Sequence, residues 1–181
     1  MGSFDGEIEA LCTGLRWDRL SQMCFIERCI ALACCSLECS RAALWIFVGS
    51  PGGRTMRCVR MYDRASGLRE RMHHSSVEGA DEIYEMLCAT GQVIADDAQN
   101  HPATRALFQE ERTRARAVRA LIATPFSTNG ELFGAFVCTQ LEEAPAWNAR
   151  QLFLLRRISV RATSAIASVA PRAIAQVSQN W

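Results

Sequence analysis

Apolar residues recur along the first forty positions at steps of three and four. Met23, Ile26, Ile30, Ala33 and Leu37 form one stripe at the period of a helix that buries a face. The stripe lies in a proline-free stretch from Ile8 to Leu37, which predicts helix broken near Gly14. Then the period changes. "RAALWIFVGS" is a compact apolar and aromatic run, "SPGGR" a tight turn and "TMRCVRMY" a second strand, which together predict a hairpin. "GADEIYEMLCATG" predicts a short helix stopped by Gly91, with Asp81 and Glu82 favourable near its start. "QVIAD" reads as a brief strand, and "DAQNHPATRALFQEER" as a turn leading into a helix with Pro102 in its first turn.

Further on, "RALIATPF" and "ELFGAFVCTQ" flank Asn129-Gly130, a pair suited to the positive backbone angles of a hairpin turn. "PAWNARQLFLLRRISVRATSAIASVA" predicts a long helix in which Leu155, Ile158, Ala162, Ala165 and Val169 repeat the three-four step. The order helix, hairpin, helical middle, hairpin, long helix predicts an α+β fold. An antiparallel sheet would carry the terminal helices on one face and the middle segment on the other.

Composition narrows the function classes. A chain of 181 residues suits one domain that buries roughly 70% of its unfolded surface. Its net charge of +1 carries no bias toward nucleic acid or an anionic membrane. All twenty basic residues are arginine. The first ten residues are polar and acidic rather than basic then apolar, and no apolar run nears the ~18 residues of a spanning helix. The expectation is a cytoplasmic protein with reduced thiols.

Nine cysteines then need an account, five of them in "CFIERCIALACCSLEC", residues 24 to 39. On a continued helix Cys29 and Cys34 flank the apolar stripe, whereas Cys24, Cys35 and Cys39 fall opposite. Only Cys35 and Cys39 have the i, i+4 relation that lets two thiolates share an ion; there is no CxxC pair and no nearby histidine. Cysteine as a small hydrophobe fits better, on a helix buried on two faces: one against the sheet, one against another helix. No metal is expected, and a thiol or metal sensor using Cys35 and Cys39 is the alternative.

His73-His74 are adjacent and point apart on a strand. Asp96-Asp97 with His101 reads as a turn-ordering and capping group. Arg112, Arg114, Arg116 and Arg119 lie close together, with no interleaved aromatic to suit single-stranded nucleic acid. No phosphate loop, GxSxG or HExxH is present.

The element order and the phrases "RAALWIFV", "GQVIADDAQNHPAT", "ALIATPFSTNGELFGAFVC" and "AWNARQLFLLRRIS" resemble the GAF domain, a small-molecule-binding regulatory module of the kind attached to bacterial histidine kinases and cyclic-di-GMP enzymes. The likeness covers residues 20–170, leaving 1–19 as a helical extension and 171–181 as a tail. It implies a ligand pocket between sheet and middle segment, with Trp45 and Phe47 on the pocket face of the first strand. Thr139 approaches from the second hairpin, and His73, Tyr84, Asp97, Arg119 and Thr124 complete the candidate lining.

The same resemblance implies a homodimer through helices carrying Met23, Ile26, Ile30, Leu37, Leu155, Ile158 and Val169. It also allows an effector domain or partner protein, the chain being either stand-alone or excised. No Cys-His dipeptide is present to attach a bilin, and the cofactor is left open. The reading is a non-enzymatic sensor that binds an unidentified small molecule. The alternatives are a GAF-fold methionine sulfoxide reductase and a pocketless scaffold used only for dimerisation.

Overall fold

A computed structural model describes residues 4–67, 69–70, 76–108, 117–128, 130–142 and 146–169. Helix α1 (Phe4–Arg16) is followed by α2 (Gln22–Leu37), β1 (Arg41–Val48), β2 (Thr55–Asp63), β3 (Arg69–Glu70) and β4 (Ser76–Val77). Then come α3 (Asp81–Thr90), β5 (Val93–Ala95), a 3₁₀ turn (Arg105–Phe108), β6 (Ala120–Thr128), β7 (Glu131–Gln140) and α4 (Ala149–Val169). The strands form one antiparallel sheet in the order β3-β2-β1-β7-β6-β5, with β4 also paired to β2. The predicted α+β layout, with terminal helices on one face and the middle segment on the other, is what the chain adopts.

The break in the first helical stretch falls just after Gly14, at Trp17–Ser21, and a Cβ on Gly14 would press on Leu20 at 2.9 Å. Ser21 restarts the helix by accepting the Cys24 N–H at 3.2 Å. Helix α2 ends at Leu37 because Glu38 takes a left-handed conformation, φ 55, and its N–H turns back to Cys34 and Cys35. Cys39 therefore lies beyond the helix. It is buried between helix and sheet rather than facing the same way as exposed Cys35. The pair proposed to share an ion is not brought together.

Two cores flank the sheet. On the helical side Ala42, Leu44, Ile46, Ile122, Phe126, Phe136 and Cys138 pack against Ile26, Ile30, Leu37, Leu155 and Ile158. Five residues assigned to a dimer face are thus consumed by their own chain's core. Met23 is half-buried against it, and Val169 is exposed at the end of α4. The two-faced burial of α2 is nevertheless correct. Its second face meets α1, which packs on α2 and α4 rather than on a strand. Ile8, Cys12 and Leu15 supply that contact, and Arg157–Asp5 at 2.8 Å and Arg161–Glu9 at 3.1 Å rim it. Equal steps on both helices in these pairs show that α1 and α4 run parallel.

On the opposite side a second core collects Phe47, Met56, Ala80, Ile83, Leu87, Leu121, Ala123, Ala135 and Val137. The helix expected after Pro102 is a turn and the 3₁₀ segment among the described residues.

Candidate functional site

The site lies on the sheet face away from α2 and α4. Alternation along β1 puts Trp45 and Phe47 there, and Leu44 and Ile46 on the helical side. Register supplies the neighbours: Trp45 faces Cys58 on β2 and Ala135 on β7, while Ala43 faces Val137, which faces Ala123 on β6. The floor is therefore mostly alanine. Large side chains stand around it, with Trp45, Tyr84, Met86, Phe108 and Leu132 only partly buried. Small, fully buried residues lie beneath these partly buried aromatics, so the face is apolar and closely covered.

Helix α3 forms one wall. Gly91 at φ 69 ends it, as its sequence predicts, with its N–H on the Leu87 carbonyl. The Tyr84 and Phe47 rings pack edge to face, centroids 5.0 Å apart, and the Arg54 guanidinium lies 3.8 Å from the Tyr84 ring centroid. Arg54 also binds Asp81 at 2.9 Å. Partial burial pushes the Asp81 carboxyl up. The bonds from Arg54 and the Gly52 N–H outweigh it and hold its pKa below the ordinary value. Sequence reasoning missed Arg54, Asp81 as a contact residue, and Phe108. An arginine after a Pro-Gly-Gly turn carries no local sign of the helix it will meet.

The remaining candidates divide. Arg119, Asp97 and Thr139 gather at the far end of the face. Arg119 donates its N–H to the Gln140 carbonyl at 2.8 Å and accepts from Ala98 at 2.8 Å. Thr139 faces Arg41, four residues along β1 from Trp45, or about 13 Å at strand rise. Asp97 accepts from the Asn100 amide side chain at 2.7 Å, ordering the turn. Thr124 is corrected outright. It shares the helical face with Ile122 and Phe126, fully buried beneath α4, where Ser159 Oγ donates to the neighbouring Pro125 carbonyl. His73 lies outside the described residues, as do Arg112, Arg114 and Arg116.

A separate cleft of about 250 Å³ opens beside Glu38, Ser40, Arg64 and Gln140. Its Ser40 and Gln140 side chains bond one another at 2.9 Å. Among the described residues no group of His, Cys, Asp and Glu is arranged to hold a metal ion, and no helix is long and apolar enough to cross a membrane.

The GAF domain family model matches residues 25–166, most of the chain. The chain belongs to the GAF domain family. No curated protein matches it. Among solved structures, this GAF chain is similar to the phycocyanobilin-bound GAF domain of a cyanobacterial phytochrome, at 14% identity and TM-score 0.73, covering 94% of this chain and 97% of that one. It is also similar to the blue-light-absorbing form of the Thermosynechococcus elongatus PixJ GAF domain: 16% identity, TM-score 0.65, covering 93% and 97%. A third likeness is to the Stigmatella aurantiaca phytochrome photosensory core module at 13% identity and TM-score 0.66, covering 92% of this chain and 36% of that one. At such identities the likeness establishes the shared fold.

Proposed function

We propose that this GAF domain is a non-catalytic sensor that takes a small planar molecule between the partly buried aromatics over the alanine floor and reports occupancy through its helical layer. The carrying observation is the apolar cluster holding Ala123 and Ala135, with Trp45, Tyr84 and Phe108 partly buried against it, on the face opposite α2 and α4. Two of the solved structures it resembles hold phycocyanobilin and biliverdin, which are conjugated bilins. A ligand shifts the helical layer only by binding one of its packings more tightly. Native mass spectrometry of the purified chain is expected to show a retained molecule that is lost on Trp45→Ala with the fold intact. An unliganded wild type that also leaves Trp45 fluorescence unchanged on adding phycocyanobilin or biliverdin argues against the reading.

The partner in this reading is a second copy. Trp17, Phe153, Val160 and Val169, the exposed large apolar side chains among the described residues, all lie on α4 or just past the end of α1. In this reading the dimer surface is the outer face of the helical layer, not the helix residues that the resemblance implied. Sedimentation is expected to give a dimer that Val160→Glu dissociates; a monomeric wild type at high concentration removes this part.

A further inference from the structure

The turn between β1 and β2 gathers three donors on one carboxylate. Ser50-Pro51-Gly52-Gly53 closes with the Gly53 N–H on the Ser50 carbonyl at 3.1 Å, and Gly52 takes φ +84, a turn with proline second and glycine third. From this turn the Gly52 N–H donates to Asp81 Oδ1 at 3.1 Å and the Arg54 N–H to Oδ2 at 3.2 Å. Arg54 Nη1 adds a bond to Oδ1 at 2.9 Å. Converging backbone N–H groups make an anion-binding concavity, and a guanidinium strengthens it through a charge-assisted bond.

The carboxylate that fills it comes from α3. That helix begins at Ala80 without a side-chain cap, so Asp81, in its first turn, serves the hairpin rather than its own helix end. A further tie joins the same segments, from the Ala80 N–H to the Arg54 carbonyl at 3.1 Å. Arg54 also covers Tyr84, which packs edge to face with Phe47, so the turn, α3 and these aromatics are coupled at one point. The Arg54 and Asp81 side chains remain 15% and 23% exposed, so part of the ion pair faces solvent.

We infer that the β1–β2 turn is an oxyanion receptor whose built-in occupant is Asp81, so that α3 is latched to the hairpin by an exchangeable contact. A free carboxylate or phosphate that takes the turn releases the helix. The inference is independent of which molecule the domain binds.

The test is a titration of the ¹⁵N-labelled full chain with acetate, and separately with phosphate, at ionic strength held constant with chloride. In Asp81→Ala the Gly52 and Arg54 amide resonances are expected to shift saturably. The wild type should need about tenfold more anion, and the Arg54→Ala/Asp81→Ala double variant should not respond. Amide exchange across α3 should run about tenfold faster in Asp81→Ala than in the wild type. A response to acetate alone or to phosphate alone supports the receptor and names its anion. Shifts absent from Asp81→Ala, or equal in both proteins, overturn it. Should Asp81→Ala fail to fold, α3 exchange in the wild type is expected to quicken as acetate replaces chloride, and exchange that stays constant overturns the inference.

Discussion

Replacing Gly134 by alanine tests the register at the middle of the sheet. Gly134 faces Ile46 on one side and Phe126 on the other. A Cβ built there stands 2.1 Å from the Trp45 carbonyl oxygen and 3.1 Å from the Ile46 Cα. Carbon–oxygen contacts across a sheet ordinarily stand at about 3.3 Å, so β1 and β7 must part by about 1 Å. The obstacle is backbone, and no rotamer relieves it. Overpacking of this kind costs about 1–3 kcal/mol, and two weakened ladder bonds add about 1 kcal/mol each. The sum, about 4 kcal/mol, is a large share of the ~5–15 kcal/mol that holds a domain folded.

Gly130→Ala is the control. Gly130 has φ +79 with nothing within 4 Å of an added Cβ, so it meets only the left-handed backbone penalty of about 1–2 kcal/mol. Gly134 is not among the positive-φ glycines, and its cost is close approach alone. Urea unfolding followed by far-ultraviolet circular dichroism, extrapolated linearly to water, separates the two. Equal losses, or a Gly134→Ala loss under about 1 kcal/mol, would refute the pairing that sets Trp45 beside Ala135.

Three further outcomes are expected. Ellman's reagent should reach Cys35 and Cys88 quickly and half-buried Cys24 slowly, leaving the other six thiols for the unfolded chain. Burial raises the Cys12 and Cys29 thiols, bonds with neighbouring thiols raise Cys34 and Cys39, and fast labelling of Cys34 or Cys39 would contradict their placement. The Asp81 carboxyl should titrate below its ordinary 3.8, and Arg54→Ala should return it upward. Because the folded value is depressed, its stabilising effect is complete above the unfolded pKa and fades as pH falls through the folded one. Carboxyl NMR showing an unshifted midpoint would contradict the latch geometry. Glu27→Ala removes the 3.0 Å bond to Arg60, whose side chain is 2% exposed and also bonds the Val59 carbonyl, and should cost about 1–3 kcal/mol, whereas Arg60→Met should cost less by denaturant melts.

Local chemistry made much of this fold legible. Gly91 announced the end of α3, and the apolar stripes announced α2 and α4, because caps and periods depend on neighbours a few residues away. The end of α2 was less visible. Glu38 adopts φ 55 with no glycine to advertise it, and Cys39 left the helix on which counting had placed it. Thr124 was misassigned for a related reason. Leu121, Ile122 and Ala123 are apolar on both faces of β6, so alternation carried no sign of which face was which.

By itself the sequence determined the main helices and strands, α2, the two hairpins, α3 and α4, that the sheet is buried on both faces, and that α2 needs two partners. The tertiary structure alone decided who those partners are. Ile26 and Ile30 on α2, with Leu155 and Ile158 on α4, fill their own sheet-side core. Helix α1 covers the second face of α2, and the large apolar side chains left exposed among the described residues are Trp17, Phe153, Val160 and Val169. Tertiary packing also brought Arg54 to Asp81 and Tyr84. Hydrophobic burial is non-directional: a periodic stripe states that a face must be covered, and only the packed chain states by what.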